Sequence, residues 1–516
     1  MGLDFGTGGA KACLVTSEAK VIAYAYEEYP LIHERPGWSE HDADQYWPIT
    51  AKLTRSVLQT AGVSGNDVSG IALSSALPSL VVVGSDGKPL CAAFNLLDRR
   101  AFEEVALLRT LVGEDKIRLL SANRLEDHPS LVNLLWIKRN RPELFANIRS
   151  ALTIDGYITS RLTGEYTLNR SAGAFYGVAY DISKGCFDTE VLDAIGIPAK
   201  ILPDVVDCRA IVGKVTNAAA AATGLVTGIP VVGGQVDCNA AWISGGAIAE
   251  GDIQLNLGTS GVLGLVHGSK DFLRSKSGNS MVNIPYTTNP AAVYSAVAVT
   301  MTGGQALRYL RDTFGSAEKQ ISEVLGVSAY DLLTLQAKDV PAGSEGLVVL
   351  PFLAGERTPI WDPMARGVIF GLALHHSRGH IIRAFMEGVA FALYHSLSVL
   401  LEGGLKVNWP LVLNEGGAQS DVWRKIITDV LGVETVILKS DSGAPMGDAI
   451  LAGVAVGEFG GFDVARDRVR YGDVLEPDPK QHQRYEEFYG LYRDIYVDVK
   501  HRFSQLSQIM AHSANE

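Results

Sequence analysis

Runs of β-branched and alternating apolar residues recur along this chain, and turn chemistry closes each of them: ACLVTSEAKVIAYAY, LVVVGSDGKPLCAAFN, IPVVGG and GLVVLPFL. Between them stand stretches with helical apolar spacing, such as EEVALLRTLVG and GHIIRAFMEGVAFALYHSLSVLLEG. Alternation predicts strands, the longer period predicts helices, and their interleaving predicts an α/β fold. Near the C-terminus, RYEEFYGLYRDIYVDVKHRF sets Tyr485, Phe488, Tyr489, Tyr492, Ile495, Tyr496 and Val499 at three- and four-residue spacing. That stripe predicts an amphipathic helix packed on its own domain, a homodimer contact being the alternative.

One pattern occurs twice. Leu3-Asp4-Phe5-Gly6-Thr7-Gly8-Gly9 is echoed, without a gap, by Leu255-Asn256-Leu257-Gly258-Thr259-Ser260-Gly261, about half a chain length later. Each copy reads as strand, Gly-Thr turn, strand. The echo predicts a β-hairpin in each half and a duplicated domain, each copy aiming its turn at a shared cleft.

A length of 516 residues exceeds what one hydrophobic core organises, so two or more domains are expected. With 47% hydrophobic and 20% charged residues the composition is that of a folded globular protein. A net charge of −12 argues against nucleic acid or anionic membrane as a partner. The five cysteines are scattered and form no C-x-x-C pair, which argues against a disulfide framework or structural zinc and for a cytoplasmic location. The run AAAAATGLVTGIPVVGG is too interrupted by Gly, Thr and Pro to span a bilayer.

Glycine turns let backbone N–H groups approach an anion, and a neighbouring Thr or Ser hydroxyl adds a donor. Two facing turns suit a triphosphate. Lys11 stands just past the first turn as a point charge for a terminal phosphate. Asp4 is a carboxylate beside that phosphate and a natural partner for magnesium, with a turn cap as its structural alternative. Other phosphate motifs are excluded: Gly87-Lys88 and Gly213-Lys214 lack the hydroxyl residue of a P-loop, and Lys11 occupies the third glycine's place of a dinucleotide fingerprint.

Together, LDFGTGGAK, VVGGQVD, LNLGTSG, PFLAGERTPIWDPMARGVIFGL and NEGGAQSDVW resemble the FGGY family of carbohydrate kinases, from residue 2 to about residue 460. The resemblance implies two ribonuclease H-like lobes of the actin/hexokinase ATPase superfamily around a nucleotide cleft. The expected divisions are 1–240, with the sugar and the first phosphate hairpin; 241–460, with the second hairpin and the adenosine; and a helical tail, 461–516. It implies ATP and Mg2+, with Asp237 as catalytic base and Asp4 at the metal. Gly6, Thr7, Gly8, Lys11, Gly258, Thr259 and Ser260 fall to the phosphates, and Gly304, Gly417 and Asp421 to the adenosine end. Asp98 and Arg100 fall on the sugar side, a surface ion pair being the rival reading.

The pattern also departs from the family. Where kinases of the xylulose type carry Q-M-H-G, this chain has Ala76-Leu77-Pro78-Ser79, which puts Leu77 and Pro78 beside the sugar and removes polar groups that read hydroxyls. His128, Asn133 and Phe385 are atypical within the signatures, Glu415 replaces a glycine of the adenosine motif, and Gly8 replaces a hydroxyl residue. Only Met1 to Phe5 precede Gly6, so the native start is expected a few residues upstream. The expected acceptor is a small sugar or polyol, first a pentulose such as D-xylulose; autoinducer-2, ribulose, erythritol, glycerol and gluconate are alternatives. An actin-like nucleotide sensor without catalysis is the rival class, which an intact Asp237 disfavours.

Overall fold

The computed structural model describes residues 1–440 and 443–513. Two sheets organise the chain. The first runs Gln235–Val236, Ala72–Ser75, Gly2–Phe5, Gly9–Val15, Val21–Glu28 from edge to edge. The second runs Val282–Asn289, Ala292–Thr300, Gly261–His267, Asp252–Leu257, Asn408–Asn414, Thr435–Ile437. In the first, a three-stranded antiparallel meander adjoins a parallel extension; in the second, four antiparallel strands adjoin one.

The sequence echo is reproduced by these strands. Phe5 pairs with Ala10 across the first hairpin and Leu257 with Gly261 across the second. The second strands, Gly9–Val15 and Gly261–His267, begin at equivalent positions of the repeat. Each turn is therefore confined to three residues, Gly6–Gly8 and Gly258–Ser260.

Apolar periodicity decides what each helix covers. Tyr46–Ala61 buries Ile49, Leu53 and Val57 against the first sheet, where Leu3, Phe5 and Ala12 are also buried. Arg378–Glu402 buries Ile382, Phe385, Val389, Leu393, Leu397 and Leu400 in the core of the second half. Full burial of such side chains stabilises by about 1.5–3 kcal/mol each. By length and composition this helix is apolar enough to cross a membrane, but 72% of its apolar window is buried within the protein. It, rather than the small-residue run near residue 220, is therefore the most membrane-like segment described, and its apolar face is explained by the core.

Two further helices complete the assembly. Pro479–Ser513 lays Tyr485, Tyr489, Tyr492 and Ile495 on the second half's core. Ala444–Val456 instead crosses back to the first sheet and the helix Asp237–Ser244. The crossing is close: a β-carbon on Gly447 would lie 1.8 Å from the Ala240 carbonyl oxygen, so only glycine fits there. Asp448, one residue on, accepts a hydrogen bond from Ser74 Oγ at 2.5 Å.

Candidate active site

The parallel strands of the first sheet stop level with one another, Phe5 in register with Ser75 and Ser75 with Val236. The residues just beyond their carboxyl ends therefore meet at one edge: the turn Gly6–Gly8, the loop Ala76–Ser79 and Asp237. Ligands of open α/β sheets bind at the carboxyl ends of such strands. The second sheet repeats the device. Asn256 is in register with Asn414, which brings Gly258–Ser260 beside Glu415–Gly417.

Both turns are held from behind. Tyr29 Oη donates to the Gly6 carbonyl, and His41 Nε2 donates to the Thr7 carbonyl at 2.9 Å. Since a carbonyl only accepts, the His41 proton sits on Nε2, and Nδ1 accepts from Tyr46 Oη at 2.8 Å. Burial lowers the His41 pKa, outweighing the Thr7 carbonyl, and keeps the ring neutral. In the second turn, the Gly304 amide donates to the Gly258 carbonyl at 2.6 Å, and the Gly303 and Gln305 amides donate to the Thr259 carbonyl at 3.0 and 3.1 Å. A trans peptide directs its N–H opposite its C=O. Anchoring these carbonyls thus turns the amides of Thr7, Gly8, Thr259 and Ser260 away from the anchors, the arrangement that receives an anion.

Carboxylates gather beside the first turn. Asp4 is buried; its Oδ1 accepts from Ser74 Oγ at 3.2 Å and its Oδ2 meets Lys11 Nζ at 3.4 Å. Burial raises the Asp4 pKa against the opposing pull of Lys11 and Ser74. Burial alone would lower the Lys11 pKa, but the charge and hydrogen bond of Asp4, with Tyr24 and Asp237, together hold it above its ordinary value. Asp237 opens its helix, and its Oδ1 accepts from the Cys238 amide at 2.7 Å. Burial first, and then the charge on Asp4, push the Asp237 carboxyl up to about 7, against the Cys238 amide and Lys11. A carboxylate so placed accepts a proton near neutral pH. Asp155, bonded to Ser75 Oγ at 2.6 Å and Asn169 Nδ2 at 2.9 Å, and Asp448 are two further buried carboxyls raised by burial. No spacing in the sequence links those two to Asp4 and Asp237; both come from helices and meet the site through Ser74 and Ser75 of one strand.

A cavity of about 440 Å3 opens behind the second turn, with Gly258, Thr259, Gly304 and Gly417 in its wall. Tyr330, Asp331, Gln419 and Trp423 also line it, and motif reading did not find them. Asp421 is not in that wall: its side chain is 87% exposed and pairs with Arg424 at 3.0 Å. It sits in the first turn of the helix Asp421–Leu431, where a carboxylate suits the helix end.

The sugar-side residues divide. Leu77 and Pro78 are buried in the loop that follows Ser75, at the common edge. Asp98 and Arg100 do form an ion pair, but a buried one. Arg100 Nη2 meets Asp98 at 2.6 Å and Glu40 at 2.8 Å, and its guanidinium stacks 3.7 Å from the Trp38 ring and 4.2 Å from Phe94. Of its nitrogens, Nη1 has no hydrogen-bond partner among the described residues. The pair braces the strand Glu40–His41, whose second residue anchors Thr7.

Among the described residues no group of three or more His, Cys, Asp or Glu is arranged to hold a metal alone. Magnesium does not need one. It retains waters and takes one or two carboxylates together with substrate phosphates. Asp4, a buried carboxylate next to the first turn and weakly engaged by Lys11, fits that donor role.

Known proteins resemble this chain over nearly its whole length. The chain is 28% identical over 97% of its length, and 97% of the relative's, to the xylulose kinase of Bacillus subtilis. It is 27% identical to the gluconokinase of Bacillus licheniformis over 98% and 97% of the two chains. The crystal structure of xylulose kinase from Rhodospirillum rubrum superposes with a TM-score of 0.87 at 30% identity, covering 98% of this chain and 99% of that one. Its two-lobed α/β architecture is thus that of the actin/hexokinase-like ATPases. The models of the N-terminal and C-terminal domains of the FGGY family of carbohydrate kinases match residues 1–244 and 254–456, and the chain belongs to that family.

Proposed function

We propose that this carbohydrate kinase transfers the γ-phosphate of ATP to a hydroxyl of a pentulose such as D-xylulose, with Asp237 as the base. The observation that carries the reading is the shared edge on which Asp237, tuned to about 7, stands with the first phosphate turn and the loop Ala76–Ser79. Similarity to xylulose kinases over nearly the whole chain supports the choice of sugar.

In this reading the sugar lies against the N-terminal lobe, between Asp237 and the Leu77–Pro78 loop. Asp237 accepts the proton of the attacking hydroxyl. The outward amides of the two turns receive phosphate oxygens, and Lys11 supplies a positive charge at the transferred group. The adenosine end occupies the cavity at Gly304 and Gly417. Asp4 holds magnesium directly or through water. Bound magnesium neutralises charge on the phosphates. Closing of the lobes on both substrates excludes water that would otherwise take the phosphoryl group.

The test is ADP release from the purified chain with MgATP across ketopentoses, polyols, glycerol, gluconate and autoinducer-2. D-Xylulose is expected to stimulate most. Stimulation by gluconate alone would transfer the assignment to that acceptor, in line with the gluconokinase relative. ATP binding with no stimulation by any acceptor would favour a nucleotide sensor.

A further inference from the structure

Glu415 occupies a position that physical chemistry argues against twice. Its backbone has φ 70° and ψ −173°, a conformation glycine adopts freely and other residues avoid. Its carboxylate lies directly over the second phosphate turn: a methyl group built on Gly258 would lie 1.9 Å from Glu415 Oε2. The placement follows from the sheet, because Glu415 succeeds Asn414, the register neighbour of Asn256. Among the described residues no hydrogen bond or salt bridge engages this carboxylate. Burial raises its pKa, and Lys11, on the opposing hairpin, is the cation that opposes this and favours the charged form. A strained, unengaged carboxylate thus stands against Gly258, at the turn that carries the amides of Thr259 and Ser260.

A fixed carboxylate within a few ångströms of a triphosphate repels it strongly, because solvent screening is incomplete inside a cleft. The repulsion is removed when a divalent cation lies between them, since magnesium binds carboxylate and phosphate oxygens together. We propose that Glu415 is a specificity-determining residue that makes the nucleotide site select the metal complex of ATP over metal-free ATP. The inference rests on the kinase reading and adds to it the ionic form of the nucleotide that is admitted. Asp4 serves the metal from the first lobe, and Glu415 faces the same phosphates from the second.

Nucleotide binding to the full chain, measured by titration calorimetry without sugar, tests this apart from turnover. Wild type, Glu415→Gln and Glu415→Gly are each titrated with ATP in excess magnesium, with ATP in EDTA, and with adenosine. Gln keeps the shape and the strain without the charge, and Gly removes both, so agreement between the two assigns the effect to the charge. In EDTA both variants are expected to bind ATP at least about tenfold more tightly than wild type, while Kd in magnesium changes less than about threefold. Adenosine, which carries no phosphate, is expected to bind all three alike. An equal magnesium dependence in all three proteins overturns the proposal and leaves the kinase reading standing. A change in adenosine affinity that matches the change for ATP overturns it in favour of a reshaped pocket. Failure of wild type to bind any nucleotide overturns both.

Discussion

The carbonyl oxygens of Thr7 and Thr259, equivalent residues of two hairpins, are each held from the side opposite their outward amides. For Thr7 the donor is the His41 ring at 2.9 Å; for Thr259 the donors are the amides of Gly303 and Gln305 at 3.0 and 3.1 Å. One lobe orients its phosphate turn with side chains and the other with backbone. Only the first is open to removal of a single donor without moving the chain.

Tyr29→Phe removes the hydroxyl that donates to the Gly6 carbonyl and leaves the ring in place. A hydrogen bond of this kind is worth about 0.5–1.5 kcal/mol net, so KM for ATP is expected to rise about two- to tenfold. Steady-state kinetics at saturating sugar measure it, and a melting temperature shows that the fold is intact. An unchanged KM would mean that the turn holds its shape without this anchor.

Asp237 carries two pH effects of opposite kind. As a base it must be ionised, so kcat/KM is expected to fall about tenfold per unit below about pH 7 and to level off above it. Asp237→Asn is expected to lose about 10²-fold or more of the rate and, with it, this limb of the profile. For stability the sign runs the other way. The folded carboxyl is raised from 3.8 to about 7, so the folded state keeps its proton more tightly than the unfolded chain does. The resulting penalty is absent below about pH 4 and complete above about pH 7, and Asp237→Asn is expected to melt higher than wild type at pH 8 and alike at pH 4.

Arg100→Ala strips the buried partner from both Asp98 and Glu40. Breaking a buried ion pair by removing one member costs about 3–5 kcal/mol, and Trp38 loses a stacking partner as well. Urea unfolding is expected to show that loss. Because Glu40 precedes His41, KM for ATP should rise alongside. A sugar KM that rises with stability unchanged would return Arg100 to the substrate.

The echo of the two hairpins was legible in the letters, because a three-residue turn that must expose amides admits few residue types. Asp237 stood out only through the resemblance of VVGGQVD to a family motif. Tyr29, His41, Asp155 and Asp448 did not stand out. Each lies on a separate segment, and they converge only through sheet register or, for Asp155, through a helix that reaches Ser75 and, for Asp448, through a helix that crosses between halves. Asp98 and Arg100 show the complementary limit: the letters offered a sugar contact or a surface ion pair, while the buried pair beneath Trp38 and Phe94 depends on residues from other strands and loops. Asp421 belonged to a recognisable motif, yet one step along a helix is enough to turn a side chain from a cavity to solvent.

Gly447→Ala is expected to destabilise the protein by about 1–3 kcal/mol or more, since the new methyl group would stand 1.8 Å from the Ala240 carbonyl oxygen. Asp237 opens the helix that would be pushed away, so kcat is expected to fall with stability. Thermal melts and turnover at one temperature check both; loss of stability with full kcat would show that the first lobe absorbs the shift locally.

That crossing helix also bears on how the chain is made. A ribosome delivers Gly2–Phe5 long before Ala444–Val456, although the two lie against each other in the finished protein. Through most of synthesis the first sheet therefore leaves the exit tunnel with a strip of apolar surface uncovered, a target for chaperones. The nascent first half completes its native packing only once Ala444–Val456 has emerged, so the cleft first exists after that helix is made rather than half by half.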